Sequence, residues 1–523
     1  MTKKVKIFLA ILLAASIAGM GYSFHDTGAV RKIARTLQSM GTAFSAQQDA
    51  VDLAAPHYII AGDGSYEYKI TDRNLILPDE VRVSGSADET EYSSFLAALK
   101  TIIEGGGAPV PIDEGAESTI RESFSKLSIT AVFEYDVPLA EYLKYNNIKS
   151  RGAGQLTGIS RVTLFADGSA ALYDRHTGDY YRIAAPGQEE NELQQGLEQM
   201  IRYIFDNTDS SSPRIQSITS MTGVENSALI PSGALITVGN SAFISEFSVG
   251  QEEDLNLVKA AFFPQGMDFV DTIGKADGSR ILMYGTGKEV LHFGSDGKLA
   301  YYKEFRPEEY QKCGLYTSLK YAADFLSSDT WRTEELDLLD LFVNQVTPVT
   351  KQGCEGYRID FGASVNGMEI MYENDSLLSI EIYGKQITSC IRNLPDLRGA
   401  NIPDAPPEAM DGTELIRGHS DTIASVILEL CSEDSSVNTE KYSANDNFYA
   451  VASSILDARI GLVRLENEPI ETAENPAGNT AGDEENGGII AGKQLVPAWY
   501  LLVDGVEFWF DAENGSLLSY EKR

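Results

Sequence analysis

Between Ile159 and Ile183 the chain reads ISRVTLFADGSAALYDRHTGDYYRI. Two apolar runs, Val162–Phe165 and Ala170–Tyr173, flank Asp167-Gly168. Asp-Gly between apolar runs is a strong short-range signal for a β-hairpin, because a tight antiparallel turn needs positive φ and glycine takes it freely. Antiparallel pairing is therefore the expectation for this region, and its surroundings supply helices to pack on it. Upstream, Leu127–Tyr135 reads as a strand running into Pro138-Leu139, followed by a short helical pattern with Tyr142 and Leu143. Before that, Tyr92–Glu104 carries Phe95, Leu96, Leu99, Ile102 and Ile103 at helical spacing and stops at Gly105-Gly106-Gly107. His57–Ile60, Tyr66–Ile70 and Val81–Val83 are shorter strand-like runs. Downstream, a helix over Glu190–Phe205 closes an N-terminal α+β domain, 55–210, and the polar Asp206–Pro213 reads as a linker.

The next stretch, 214–305, is rich in strand patterns and is expected as a middle domain. It ends in a hairpin from Phe293 to Tyr302 that turns at Asp296-Gly297. A more regular order comes after it. Glu308–Leu326 is helical by spacing, then Leu341–Val349, Tyr357–Phe361, Met368–Tyr372 and Leu377–Tyr383 read as strands. After a linker over Pro395–Gly412 the order recurs. A helix spans Thr413–Cys431, and strands come next at Ile455–Leu465, Trp499–Val503, Val506–Phe510 and Leu517–Tyr520. Two helix-plus-sheet units, 306–398 and 405–523, are therefore expected, with Leu315, Leu319 and Leu326 buried in one and Ile423, Ile427 and Leu430 in the other. The acidic, Gly- and Pro-containing stretch 466–492 inside the second unit cannot bury enough apolar surface to order itself and reads as a disordered insertion.

At the other end of the chain, Lys3, Lys4 and Lys6 precede Ile7–Phe24, eighteen residues without a charge. That length is at the lower edge of what spans a bilayer core, roughly 17–25 residues. Two readings fit it. A cleaved secretory signal would use Ile7–Ala15 as its apolar part and Ser16-Ile17-Ala18 as its small-residue site. An uncleaved anchor accounts better for the apolar character that continues through Met20, Tyr22 and Phe24. It also accounts for the stripe Val30, Ile33, Leu37, Met40 and Phe44, which reads as a helical stalk. Residues 1–50 are accordingly expected to be membrane anchor and stalk. No cysteine precedes Cys313, so a lipoprotein is excluded. Lys3, Lys4 and Lys6 on one side face Arg31, Lys32 and Arg35 on the other, so charge favours a cytoplasmic N-terminus only slightly. Within the anchor, Ala10, Ala14, Ala18 and Gly21 share one helix face, and small residues there let a second membrane helix approach closely.

Charge narrows the partners. A net charge of −35 opposes nucleic acid and an anionic cytoplasmic leaflet, and places the body outside the cell. The 523 residues exceed what one core serves. Catalytic signatures are missing from the sequence. The five histidines are isolated, no H-E-x-x-H or C-x-x-C occurs, and no serine lies in G-x-S-x-G. Gly285-Thr286-Gly287-Lys288 suggests a phosphate loop, but Leu282 and Glu289 stand where the motif needs Gly and Ser or Thr, so it reads as a turn. Asp167, Asp296 and Glu513 sit beside turns, where short or polar side chains suit the backbone. Neither a catalytic residue, a metal site nor a cofactor is expected. Trp499, Tyr500 and Trp509 read either as alternating core residues or as the lining of a glycan or peptide groove.

Three stretches carry a family resemblance. ITAVFEYDVPLAEYL, from Ile129 to Leu143, resembles the strand-Pro-Leu segment of YycH, and Ile159–Ile183 is similar to the segment C-terminal to it in that family. LVPAWYLLVDGVEFWFDAENGSLLS, from Leu495 to Ser519, resembles the close of YycI and of PepSY-like modules. With the basic-flanked anchor, the architecture resembles the YycH/YycI regulators of the WalK (YycG) sensor histidine kinase of Gram-positive bacteria. The insertion 466–492 departs from that pattern. The resemblance implies an α+β body, no enzyme activity, and a place outside the cell membrane. Its implied partners are the sensor kinase and a related regulator of the same family, in signalling over cell-wall metabolism. A secreted or anchored cell-wall glycan- or peptide-binding module is the competing reading.

Overall fold

The structure, a computed structural model, describes residues 54–522 except 113–125, 208–213, 327–338, 467–492 and shorter gaps of one to four residues. The anchor and stalk, with Ala10, Ala14, Ala18 and Gly21, lie outside the described residues. Among those described, eight α-helices occur and no helix is long and apolar enough to cross a membrane.

The first half holds β1 (Tyr58–Asp63), β2 (Glu67–Thr71), α1 (Glu91–Gly106), β3 (Val110–Pro111), β4 (Leu127–Val137), α2 (Leu139–Tyr145), β5 (Ile159–Phe165), β6 (Ala170–Asp174), β7 (Tyr180–Ile183), α3 (Glu190–Asn207), β8 (Arg214–Ser217), α4 (Ile218–Thr222) and β9 (Leu229–Ser232). Its nine strands form one sheet, in the order β3-β7-β6-β5-β4-β1-β2-β8-β9. The second half holds β10 (Ser241–Ala242), α5 (Glu252–Phe262), β11 (Val270–Gly274), β12 (Arg280–Tyr284), β13 (Glu289–Phe293), β14 (Leu299–Lys303), α6 (Leu315–Leu326), β15 (Asp340–Lys351), β16 (Cys354–Val365), β17 (Met368–Met371), β18 (Leu378–Tyr383) and β19 (Gln386–Arg392). It closes with α7 (Gly412–Cys431), α8 (Asn447–Ser454), β20 (Ile455–Glu466), β21 (Lys493–Val503), β22 (Val506–Asp511) and β23 (Leu517–Lys522). These strands make a second sheet of fourteen, β11-β12-β13-β14-β19-β18-β16-β17-β20-β21-β22-β23, with β10 on β21 and β15 on β16.

One pattern recurs four times: a helix, then four strands in an antiparallel meander. The copies are α1 with β4–β7, α5 with β11–β14, α6 with β15, β16, β18 and β19, and α7 with β20–β23. In the last two the strands run 12, 12, 6 and 7 residues against 12, 11, 6 and 6. The strand expected last in the third unit, Leu377–Tyr383, is its third, and the fourth is Gln386–Arg392, which the sequence reading lacks. Met368–Met371 is an extra arm turned out from β16 at Asn366-Gly367, both at positive φ as a two-residue hairpin demands. Two sequence readings change for local reasons. Val81–Val83 forms no strand, because Pro78 starts a 3-10 turn at Asp79–Val81. The helix expected from Glu308 starts at Leu315, and its first free N–H is taken by the Glu141 carboxylate from α2, 2.8 Å away.

The hairpin at 159–183 is present, and its turn is built as the residue types require. Asp167 Oδ1 accepts hydrogen bonds from the Ser169 N–H and hydroxyl at 3.0 and 2.5 Å, while Gly168 takes φ +78°. Asp277-Gly278-Ser279 repeats the device between β11 and β12. At the last turn the acceptor is Asp511 rather than Glu513, which donates its backbone N–H to it.

The helices bury the faces that their spacing indicated. Leu315, Leu319 and Leu326 are buried, as are Ile423 and Ile427; Leu430 is partly buried. One apolar cluster runs from Ala54 to Leu495 and draws on both sheets. A second packs α7 against Trp499, Leu501, Phe508 and Phe510. Each such fully buried large side chain contributes roughly 1.5–3 kcal/mol. The segment 214–305 is shared between sheets: β8 and β9 extend the first, and β11–β14 join the second where β14 pairs with β19. All four cysteines are free thiols, with Cys390 and Cys431 buried.

The β20–β21 ladder is paired out to Glu466↔Lys493, so the insertion hangs from the end of a completed hairpin. Replacing 467–492 by Asn-Gly is expected to leave the melting temperature equal or higher. Shortening that connection lowers the closure entropy by about 2 kcal/mol at most on the logarithmic length dependence. A fall of more than 5 °C in a thermal melt would show that the insertion is packed.

Candidate interaction cleft

Where β17 parts from β16, the second sheet splits. β16 pairs with β17 at Ser364 and Val365 and with β18 from Phe361 to Tyr357. β17 instead turns to run parallel to β20, Glu369–Met371 beside Gly461–Val463, the one parallel pairing among the described strands. That approach needs glycine at 461, since a Cβ there would collide with the Glu369 carbonyl. Gly362 likewise leaves room for the Phe342 ring lying over it. The split opens a cleft of about 560 Å³ lined from β15 to β23.

Arg459, Glu369 and Asp457 of its lining belong to a charge network that extends behind it to Glu134 and His57. Arg459 on β20 meets Glu134 of β4 at 2.9 Å, Glu369 of β17 at 3.2 Å and Asp457 at 2.8 Å. Glu134 also contacts His57 Nδ1 at 3.2 Å, and the His57 ring stacks on Phe342 with centroids 3.5 Å apart. Arg175 donates to the carbonyls of Phe133 and Glu134 and fixes that stretch of β4. Burial opposes ionisation of Glu134. The Arg459 charge, the His57 hydrogen bond and the nearby His57 and Arg175 charges outweigh it and hold the carboxyl well below the usual range. Arg459 thus ties the first sheet to both C-terminal meanders.

The walls combine the pair Arg358–Asp360, 3.1 Å apart, with Tyr500, Trp509, Glu507 and Glu521. Alternation along β21 and β22 separates the three aromatics. Trp499 points to the α7 side, fully buried, and its indole N–H donates to the Met410 carbonyl at 3.0 Å. Tyr500 and Trp509 face the cleft, their rings 5.8 Å apart, and the Tyr500 hydroxyl donates to Glu507. Trp509 is 2% exposed, so of the three only Tyr500 offers a ring to a ligand. Nothing local in the sequence marks this site, because Arg459 lies 325 residues from Glu134 and 90 from Glu369. Among the described residues, no group of three His, Cys, Asp or Glu is placed to hold a metal ion.

Among solved structures, the chain is similar to YycH from Bacillus subtilis, with 11% sequence identity and a TM-score of 0.44 over 89% of this chain and 96% of that one. This is one of the proteins that the stretches Ile129–Leu143 and Ile159–Ile183 resemble. No family model matches the chain. No curated protein matches it by sequence.

Proposed function

We propose that this chain is a single-pass membrane protein whose α+β body lies outside the cell membrane and adjusts a two-component sensor kinase without catalysing a reaction. The observation that carries the reading is the family resemblance of Ile129–Leu143, Ile159–Ile183 and Leu495–Ser519, stretches that fall on β4 with α2, on β5–β7 and on β21–β23. The basic-flanked apolar run Ile7–Phe24 supplies the anchor. Its partners on this reading are the sensor histidine kinase and a related regulator of the same family. The experiment is co-purification of the full chain with that kinase from crosslinked membranes, combined with a cell-wall signalling reporter. Recovery of the kinase and a changed output on deletion are expected; no recovery and an unchanged reporter would sink the reading.

The anchor also recognises. Ala14→Leu with Ala18→Leu keeps hydrophobicity and insertion but blocks close helix approach. Kinase crosslinking and reporter output are expected to fall at least fivefold in that variant. If both stay unchanged, the anchor is a tether and recognition belongs to the body. Tyr500 beside a polar cleft is the observation that favours a cell-wall glycan- or peptide-binding module instead. Retention on wall glycan that disappears in Tyr500→Ala, without kinase recovery, would establish that alternative.

A further inference from the structure

Over β11–β14 the second sheet has one face covered by helix α5 and, among the described residues, one face left open. On the covered face Leu282, Leu291, Phe293, Leu299 and Tyr301 are buried, with the Phe262 ring of α5 4.9 Å from that of Tyr301. On the open face, register places residues in rows that cross eight strands. One row reads Ile273, Ile281, His292, Ala300, Ile391, Ser379, Asp360, Gln345. The row beside it reads Asp271, Met283, Val290, Tyr302, Ser389, Glu381, Arg358, Thr347. Each row is mainly apolar over β11–β14 and polar or charged from β18 to β15, where the short side chains Ser389, Ser379 and Asp360 are buried and Glu381, Arg358, Gln345 and Thr347 reach the surface. None of Ile273, Ile281, Met283, Val290, Tyr302 and Ile391 is buried; Ile273 is 47% and Tyr302 50% exposed. The charged end runs into the cleft, whose lining holds five carboxylates (Asp360, Glu369, Asp457, Glu507 and Glu521) against three cations (Arg358, Arg459 and Lys522).

Hydrophobic rows and an acidic cleft on one face select one kind of occupant. We infer that this face docks a helix of a partner protein that is apolar along one side and basic at one end. The apolar side lies over Ile281, Met283, Val290 and Tyr302, and the basic end enters the cleft. Seven strand intervals of about 4.8 Å make the rows roughly 34 Å long, the length of a helix of about 22 residues. The opposite face of the same strands already packs a helix, α5, through Phe262 on Tyr301. The net charge of −35 steers a basic segment toward the body and repels an acidic one. The inference rests on the reading that the body binds proteins, and adds which surface does so and what chemistry it takes.

The test uses the full chain in nanodiscs of zwitterionic lipid. The probe is a 22-residue synthetic helix with leucine and alanine along one side, three lysines in its last turn and one photoreactive leucine. A counterpart peptide carries three glutamates in place of the lysines, and empty discs set the background. Saturable binding of the lysine peptide is expected, at least tenfold tighter than the glutamate peptide, with photo-crosslinks on β12–β14. Val290→Glu, at a position that is not buried, should weaken it at least tenfold without moving the melting temperature. Glu507→Gln with Glu521→Gln should remove the preference for lysine over glutamate. Equal binding of both peptides, crosslinks on other surfaces, or no effect of Val290→Glu would each overturn the assignment. Kinase co-purification that persists alongside any of those results leaves the regulatory reading standing and removes only this surface.

Discussion

Replacing Arg392 by methionine is expected to lower the stability of the body by about 3–5 kcal/mol, the cost of removing one partner of a buried ion pair. The side chains of Arg392 and Glu246 are each 1% exposed and joined twice, by Nε at 3.1 Å and Nη2 at 2.6 Å. The guanidinium also lies over the Phe247 ring, 5.6 Å from its centroid. Arg392 stands at the seam of two meanders, where β19 pairs with β14 on one side and β18 on the other. Removing it takes the bidentate cation from the buried Glu246 carboxylate, and the penalty is that of breaking a buried ion pair from one side. Arg392→Met with Glu246→Leu is therefore expected to recover most of the loss, since neither charge then needs a partner. Urea unfolding of the two variants checks this. A single-variant loss under 1 kcal/mol would show that water or relaxation satisfies Glu246.

Arg459→Met should cost about 3 kcal/mol at pH 7 and make the cost depend on pH. In the wild type the folded-state value of Glu134 lies below its unfolded value near 4.5. Ionised Glu134 therefore contributes stability above that pH, and the contribution is lost as pH falls toward the depressed folded value. Without Arg459, burial again dominates and the folded value rises. The stability gap between wild type and variant should then be full at pH 7 and narrow as pH falls through the ordinary carboxylate range. Denaturation series from pH 7 to pH 3 measure it. A gap that stays constant or widens on acidification would mean that Glu134 is not the group Arg459 holds ionised. The same variant should speed hydrogen exchange in β4 and β17, because Arg459 joins both to β20.

Local chemistry made much of the architecture readable before any fold was known. Asp167-Gly168 and Asp296-Gly297 announce hairpins because only certain residues tolerate the turn backbone, a requirement that does not depend on distant contacts. The helices around Leu319 and Ile423 announce themselves because an amphipathic period survives in one dimension. Short elements did not. Gln386–Arg392 and the helix Glu252–Phe262 carry too few periodic positions to stand out, so one meander reads only as strand-rich sequence and another lacks its last strand.

Neighbouring residues alone set where turns, helices and most strands lie, the acidic balance, the apolar N-terminal run and the family resemblance, since each is encoded locally. Packing of the finished units settled how the meanders fuse, that β17 leaves β16 to run beside β20, and which face of β11–β14 the described residues leave open. It also brought Glu134, Glu369 and Arg459 together from points as far as 325 residues apart. Edge pairing and long-range ion pairs depend on which surfaces meet after the units have formed, and no local pattern of residue types records that meeting.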